Sequence, residues 1–299
     1  MNFDVVSFGS AVIDSFVNTE IGEKNHVFSY PVGSKILITD LRFDIGGGGT
    51  NTAVAFSRLG FNTGCICKVG NDNNGKDILE LLKKENIKFL GSIANKTGYS
   101  IILDSKDSDR TILTYKGVNN KIKSGEIQKF RTKWLYFSSL MGESFETQKK
   151  LAENLAKNGT KLAFNPSSYL IEHKHILSLL KITEILILNK EEAQMLCKKY
   201  NKNGSLLIAL HGLGPKIVVI TDRDKLAKCY DGQKEYSIIP HKVRVVERTG
   251  AGDAFASGFV AGAMLNWPIQ KCLELGLRES ESVLRYFGAK NKLLRMKLK

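Results

Sequence analysis

The chain has 299 residues, 42% of them hydrophobic, and a formal net charge of +14. This length is sufficient for a large buried core, whereas the longest apolar run, 254–265, falls short of the roughly 20 residues that a membrane-spanning helix needs. Because the basic residues are spread along the chain, the composition favours a solvated basic surface over a nucleic-acid partner.

The first residues, 3–8, have the pattern of a strand and not that of a basic leader with an apolar segment, so we expect no signal peptide and a cytoplasmic protein. The five cysteines are scattered and lack the spacing of a metal site, which favours free structural thiols. We expect the densest basic patch, in the tail, to be solvated. It contains Lys290, Lys292, Arg295, Lys297 and Lys299.

Short runs typical of buried strands alternate with helical patterns, which predicts an α/β fold whose parallel sheet is covered on both faces. The predicted strands are residues 5–8, 63–68, 134–137, 161–164, 185–187 and 217–220. The predicted helices are residues 52–59, 76–85, 145–157, 190–199 and 254–265.

Two β-type insertions interrupt this alternation. The first carries short alternating runs at 15–18, 26–30 and 36–38, and the second has the pattern of a hairpin over 98–115 with its turn at 106–109. We expect them to pair into a small sheet that forms a lid over a cleft. The predicted division assigns residues 1–14, 45–96 and 118–299 to the core, and residues 15–44 and 97–117 to the lid.

A run of small residues, Thr249-Gly250-Ala251-Gly252, leads through Asp253 into the last predicted helix. The exposed N–H groups of its first turn and the helix dipole together make a candidate anion site. A carboxylate there stays ionised at neutral pH, so Asp253 is a candidate base for a substrate hydroxyl. The alternative is an ordinary helix start with an acidic first turn, although such a start does not need two glycines.

Four glycines, residues 46–49, precede the first predicted helix. They allow the backbone to approach a ligand closely, and the amide of Asn51 can both donate to and accept from a hydroxyl. A hinge between the first insertion and the core is the alternative interpretation. The two interpretations are compatible.

The segment Asn189-Lys190-Glu191-Glu192 ends a predicted strand and starts a helix. It is typical of a helix cap with an acidic first turn. Its functional interpretation is that Asn189 and Glu192 hold the water network of a magnesium ion beside the ATP phosphates.

Residues 70–76 fit the GxxxxGK outline of a P-loop, but Asp77 stands where that motif requires Ser or Thr. Asp72 and Asp77 would also repel phosphate. We therefore reject a P-loop here.

In this order and spacing, the segments resemble the ribokinase family of carbohydrate and nucleoside kinases, also called the phosphofructokinase B family. Residues 47–70 are similar to its first signature and residues 250–258 to its second. Asn189 to Glu192 resembles its NxxE motif, and Asp14 sits like its N-terminal substrate-binding aspartate. The resemblance covers nearly the whole chain and implies a ribokinase-like three-layer αβα sandwich with a small β-sheet lid.

The resemblance also implies roles for individual residues. Asp253 is expected to be the catalytic base, with the anion hole formed by Gly250, Ala251 and Gly252. The residues expected to bind substrate are Asp14, Gly47, Gly48 and Asn51. The residues expected to bind nucleotide are Asn189, Glu192, Thr221, Thr249, Gly250 and Gly252. Glu192 would hold Mg²⁺ through water, and Glu247 is a candidate ligand for K⁺.

The function implied is transfer of the ATP γ-phosphoryl group to the primary hydroxyl of a sugar, with Mg²⁺ as cofactor. A nucleoside kinase of the adenosine type is the alternative, with Phe28, Tyr99 and Phe137 as candidate stacking groups or core residues. A phosphorylated sugar is a third candidate acceptor, with Arg110 or Lys116 as its phosphate ligand. A non-catalytic nucleotide-binding or nucleic-acid-binding protein is the least favoured reading. Relatives often form homodimers through the lid sheet, and we expect the same arrangement here.

Overall fold

The computed structural model describes residues 1–21, 27–104 and 110–298, with the side chains of Asp104 and Arg110 excepted. The predicted hairpin turn at 106–109 and the first residue of the predicted strand 26–30 lie outside this description. Within the described residues, no helix combines the length and the apolar character needed to cross a membrane.

A nine-stranded sheet forms the centre of the described structure. Its strands are β1 (Asn2–Phe8), β4 (Thr63–Ile66), β6 (Lys88–Phe89), β10 (Arg131–Ser138), β11 (Lys161–Asn165), β12 (Thr183–Asn189), β13 (Ile217–Thr221), β14 (Ala227–Tyr230) and β15 (Glu235–Ile238). Their order is β15-β14-β13-β12-β11-β10-β1-β4-β6. Neighbours from β13 to β4 are parallel, as predicted. The sequence analysis did not predict β6, which adds a parallel strand at one edge, or β14 and β15, which add an antiparallel hairpin at the other.

Helices cover both faces of this sheet. They are α1 (Gly48–Arg58), α2 (Asn73–Lys84), α3 (Gly142–Ala156), α4 (Ser168–His173), α5 (Leu177–Leu180), α6 (Lys190–Lys199), α7 (Leu206–His211), α8 (Ala251–Met264) and α9 (Ile269–Leu284). The predicted strand 63–68 is interrupted at Cys67. Its last part is the separate strand β5 (Lys68–Val69), which pairs with β7 (Ser92–Ile93).

Successive residues of the central strands enter different hydrophobic clusters because they point to opposite faces of the sheet. Val5 and Tyr136 pack on the face covered by α1, α8 and α9. Val6 and Phe137 pack on the face covered by α3 to α7. The predicted three-layer α/β class is therefore confirmed.

Four further strands form a smaller sheet. They are β2 (Val12–Thr19), β3 (Ile38–Gly46), β8 (Gly98–Asp104) and β9 (Arg110–Tyr115), in the order β3-β2-β8-β9. The predicted strand at 36–38 is wrong, since β3 starts at Ile38 and continues to Gly46. The alternation of Leu41, Phe43 and Ile45 with charged residues is the signal for it. The prediction at 26–30 is also wrong where described, because only Val27 forms an isolated bridge.

One side chain ties together the two connections between the sheets. Asn119 Oδ1 accepts from Ala11 N (2.8 Å), and Asn119 Nδ2 donates to Ala11 O (3.0 Å) and to Lys116 O (3.1 Å). Asn119 is 1% exposed, so these bonds are shielded from water. They fix where the small sheet leaves the core.

Asp72 caps α2 at the place where a P-loop would hold phosphate. Its Oδ1 accepts from Gly75 N (2.8 Å), and its Oδ2 accepts from Thr97 N (2.8 Å). Desolvation raises the pKa of Asp72, but the hydrogen bonds from Thr97 and Gly75 outweigh it and hold the pKa below its ordinary value. A protein carboxylate thus satisfies the N–H groups that a phosphate would need.

Asp72→Ala should therefore lower the free energy of unfolding by about 1–2 kcal/mol, the upper range for loss of a helix N-cap. The measurement is urea unfolding followed by circular dichroism, with Asp77→Ala, an exposed acid on the same helix, as the control. The stabilisation is present above the ordinary pKa of an aspartate and is lost as pH falls through the lowered pKa of Asp72. Equal stability of Asp72→Ala and wild type at pH 7 would contradict this account.

Candidate active site

The glycine run lies against the turn that follows β1. Gly49 N donates to Ser10 O (2.9 Å), and Ser7 Oγ donates to Gly49 O (3.0 Å). A Cβ at Gly49 would lie 2.6 Å from the carbonyl carbon of Gly9, and Gly47 has a φ of 96°. The run therefore packs the start of α1 closely onto the end of β1. We call this glycine run, residues 46–49, the floor of the site.

The first turns of α1 and α8 meet at the carboxyl ends of the parallel strands. Asn51 Nδ2 of α1 donates to Asp253 Oδ2 of α8 at 2.8 Å. A Cβ at Gly48 would lie 3.5 Å from Asp253 Oδ1 and 2.7 Å from Ser138 Oγ, at the end of β10. The other carboxylate oxygen of Asp253 thus lies beside the glycine floor.

Opposing effects act on the carboxyl group of Asp253. Burial raises its pKa above the ordinary value, while the hydrogen bond from Asn51 and the positive charge of Lys290 lower it. The residue keeps part of its surface exposed, so a ligand can reach it. A carboxylate of raised pKa accepts a proton from a hydroxyl more readily than an ordinary aspartate does.

The residues before Asp253 take the backbone conformation of a tight turn. Gly250 has a φ of 79°, and a Cβ on it would lie 2.4 Å from Ala289 Cβ, so glycine is required at that position. Ala251 N donates to Arg248 O at 3.3 Å. Gly252 has open space where a Cβ would stand. A ligand can therefore approach the helix start at Gly252.

The small sheet presents a polar row toward this floor. Asp14 of β2 is directly paired with Asp44 of β3 and with Ser100 of β8, so the three side chains share one face. Burial raises the pKa of Asp14, whereas the hydrogen bond with Ser100 and the charge of Lys290 lower it. Carboxylate and hydroxyl groups in such a row suit the hydroxyls of a polar ligand.

Asn189 and Glu192 form a capping box at the start of α6. Asn189 Oδ1 accepts from Glu192 N (2.8 Å), and Glu192 Oε2 accepts from Asn189 N (2.9 Å). The pKa of Glu192 is raised to about 7, chiefly by burial and in addition by the charges of Glu191 and Asp253, while the backbone hydrogen bonds of Asn189 and Ser168 lower it. The charge of Asp253 contributes to this shift, so the two carboxylates lie within electrostatic range of each other.

These groups fit a magnesium ion that keeps most of its water. The oxygen atoms of Asn189 and Glu192 are the ligand type that Mg²⁺ prefers. Within the described residues, no cluster of three or more His, Cys, Asp and Glu side chains could form a protein-only metal cage. Mg²⁺ commonly binds through one or two carboxylates together with water and substrate phosphates. A divalent cation would also favour the ionised form of the buried Glu192.

The remaining residues of the predicted nucleotide side lie on two neighbouring segments. Thr221 ends β13 directly beside Asn189 in the sheet register, and its Oγ1 lies 3.5 Å from Leu188 O. The Glu247 carboxylate accepts from Thr249 N and from Thr249 Oγ1, both at 2.8 Å. The structure thus gives Glu247 a structural role in shaping the turn before α8.

Lys290 corrects the expectation of a solvated tail. It is 6% exposed, and its Nζ donates to Asn51 Oδ1 (2.5 Å) and to Ile45 O. The only local signal is that Lys290 follows two small residues, Gly288 and Ala289, which allow the chain to pass close to Gly250. Its contact with Asn51 spans 239 positions of the sequence, so no local pattern could reveal it.

Comparison with known proteins agrees with this geometry. The family model described as pfkB family carbohydrate kinase matches residues 2–295. An ATP-dependent 6-phosphofructokinase of Thermoanaerobacterium thermosaccharolyticum is 28% identical, covering 96% of this chain and 89% of that protein. A cytidine kinase of Thermococcus kodakarensis is 27% identical, covering 95% of this chain and 97% of that protein.

Solved structures share the fold. The nucleoside kinase of Methanocaldococcus jannaschii has a TM-score of 0.81 at 23% identity and covers 97% of this chain and 95% of its own. A ribokinase from Thermotoga maritima has a TM-score of 0.81 at 19% identity and covers 96% of this chain and 95% of its own. With the family model matching almost the whole sequence, the chain belongs to the pfkB family of carbohydrate kinases, which are phosphotransferases with an alcohol group as acceptor.

Proposed function

We propose that this kinase transfers the γ-phosphoryl group of ATP to a primary hydroxyl of a sugar, with Asp253 as the base. The observation that carries the proposal is the pairing of Asp253 with Asn51 at the floor, opposite the polar row of the small sheet. Because ATP is its phosphoryl donor, we place its action in the cytoplasm.

In this proposal the sugar lies between the two sheets. Asp14, Gly47, Gly48 and Asn51 line its binding site and orient the hydroxyl toward Asp253, which accepts the proton as the new bond to phosphorus forms. The first turn of α8, at Gly250, Ala251 and Gly252, stabilises the negative charge that develops on the transferred group.

The nucleotide lies on the other side of the same floor. Asn189, Thr221 and Thr249 border the phosphates, and Asn189 and Glu192 would hold Mg²⁺ through water. When bound, the ion neutralises charge on the phosphate oxygens. The chain's own contribution is to position the donor in line with the acceptor hydroxyl.

Two of the three candidate stacking residues, Phe137 and Tyr99, favour a sugar over a nucleoside. Phe137 is fully buried in the core, 5.6 Å from Phe8 between ring centroids. Tyr99 packs against the cluster that contains Ile78 and Leu82. Neither ring is therefore placed to stack a base in the cleft. A phosphorylated sugar stays a candidate because Lys116 borders a small cavity with Ser10, Asn120 and Ser139.

Asp253→Asn should lower kcat by about 10²–10⁴-fold, the range for removal of a general base. The assay measures ADP release from ATP and Mg²⁺ with pentoses, hexoses, sugar phosphates and nucleosides. Since the pKa of Asp253 is raised, wild-type activity should fall as pH drops through that raised value. Asp224→Asn, an exposed acid, is the matched control and should keep full activity.

The acceptor that stimulates ADP release identifies the substrate class. Stimulation by a nucleoside alone would replace the sugar proposal with the nucleoside alternative. If no acceptor acts and wild type and Asp253→Asn behave alike, the catalytic proposal fails. Salt-sensitive retention on DNA without turnover would then support a binding protein.

We propose in addition that Glu247 binds a monovalent cation near the turn that precedes α8. Its carboxylate is the acidic group of that turn, and its charge reaches Asp14. Activity should therefore be higher in K⁺ than in Na⁺ at equal ionic strength, and Glu247→Gln should remove the difference. Equal rates in both salts for wild type would overturn this proposal.

The outer face of the small sheet carries exposed apolar residues at odd-numbered positions, and it supports a homodimer. Leu41, Phe43, Ile101, Leu113 and Tyr115 lie on this face and are 37–59% exposed. The sheet registers place Leu113 beside Ile101, with Phe43 one strand further on across β2. Contiguous apolar surface of this kind marks interaction sites. We propose that a second copy of the chain covers it.

Leu113→Asp should therefore shift the protein toward monomer in sedimentation-velocity experiments. Ile112→Asp is the matched control, because Ile112 is the next residue of the same strand, 46% exposed, and points to the opposite face. The homodimer proposal fails if wild type is monomeric at micromolar concentration or if both variants dissociate equally.

A further inference from the structure

Lys290 is a buried cation in the middle of the proposed site. Its Nζ donates to Asn51 Oδ1 at 2.5 Å and to Ile45 O. Burial lowers its pKa, while the charges of Asp44, Asp14 and Asp253 raise it and that of Arg58 lowers it. A buried ammonium is costly unless paired and hydrogen-bonded, and these acceptors and carboxylates provide that compensation.

The backbone around Lys290 is anchored on both sides. Arg58 Nη1 of α1 donates to Lys290 O (2.5 Å), and Ala289 N donates to Asp44 Oδ2 of the small sheet (3.1 Å). The ring of Phe287 packs on Phe16, with 4.6 Å between centroids. These contacts hold the backbone at Lys290 in place, and its side chain extends from there to Asn51.

The chemistry of the ammonium group decides how the Asn51 amide is turned. A lysine only donates, so the atom of Asn51 that faces Nζ must be the carbonyl oxygen. The amide NH₂ must then point the other way, where it donates to Asp253 Oδ2 at 2.8 Å. If the amide were reversed, its oxygen would face the Asp253 carboxylate and destabilise the ionised form.

We propose that Lys290 is a positioning residue of the kinase reaction, which fixes the amide of Asn51 so that Asn51 holds the Asp253 carboxylate aligned and ionised. This inference rests on the proposed function for its kinetic consequences. Lys290 itself contacts Asn51 and not the reacting groups.

Lys290 of the C-terminal segment is the charge that lowers the pKa of Asp253. The charge of Asp253 in turn raises the pKa of Glu192 of α6 and of the buried Tyr136 of β10. Removing Lys290 takes away the positive charge that opposes the effect of burial on Asp253. The Asp253 carboxyl should then protonate at a higher pH than in wild type.

The kinetic test is a double-mutant cycle with Lys290→Met and Asn51→Ala. Each single variant should lower kcat by about 10- to 100-fold, as expected for losing one hydrogen bond to a charged group, with little change in the KM for ATP. If Lys290 acts mainly through Asn51, the further loss from Lys290→Met in the Asn51→Ala background should be much smaller than its loss in wild type. Lys297→Met, an exposed lysine of the same segment, is the control.

Lys290→Gln is the second variant, and it distinguishes loss of the interaction from a folding defect in Lys290→Met. Its amide can still donate to Ile45 O and Asn51 Oδ1 without a charge, so its kcat should lie between those of wild type and Lys290→Met. The proposal would be overturned if the kcat loss of the double variant equalled the product of the two single-variant losses. It would also be overturned if the kcat of Lys290→Met lay within twofold of wild type while Asp253→Asn was inactive. An inactive wild type would instead count against the proposed function.

A second readout does not depend on turnover. The Asp253 carboxyl carbon, labelled with ¹³C and assigned by its absence in Asp253→Asn, is titrated by NMR in wild type, Lys290→Gln and Lys290→Met. The Asp253 pKa should be higher in both variants than in wild type. An unchanged titration would overturn the proposal whatever the acceptor proves to be.

Discussion

The hydrogen bond from Asn51 to Asp253 joins the first turns of α1 and α8, and the site depends on how closely those turns approach. The approach is possible because glycines occupy the contact surfaces on each side. Gly49 packs on Gly9, and Gly250 packs on Ala289. The two clusters on the faces of the large sheet then hold the helices at this distance. A change of the glycine packing would move Asp253, the proposed base, relative to the floor before it altered the core.

The balance of charge in the site follows from its burial. Asp14, Asp253 and Glu192 all have raised pKa values because desolvation disfavours their ionised forms. Lys290 offsets part of that cost for Asp14 and Asp253. Carboxylates held in this way ionise readily when a cation arrives, and they accept protons more readily than exposed carboxylates do. The same desolvation that destabilises these groups therefore suits them to accept protons and to bind cations.

The parts predicted from sequence are those encoded in adjacent residues. The parallel strands were predictable because both of their faces are buried, which gives short continuous apolar runs. Asp253 and the glycine runs were predictable as site residues because small residues at the start of a helix indicate a ligand site without knowledge of distant contacts. The hairpin β14–β15 escaped prediction because each of its strands has only four residues, too few for their alternation of burial to stand out in the sequence. Lys290 escaped because its partners are distant in sequence, and a tail lysine is ordinarily solvated.

The small sheet follows one numbering rule from Val12 to Asn18 and in the residues paired with them. There the even-numbered residues, such as Asp14, Asp44 and Ser100, face the floor, and odd-numbered residues, such as Phe43 and Leu113, lie on the opposite face. A register shift after Asn18 ends the rule by pairing Thr19 with Ile38. Substitutions can therefore change one surface without touching the other. Deletion of a single residue within a strand would exchange the two sets beyond that point and put apolar side chains over the floor. This sheet should thus tolerate many substitutions in evolution but few changes of strand length.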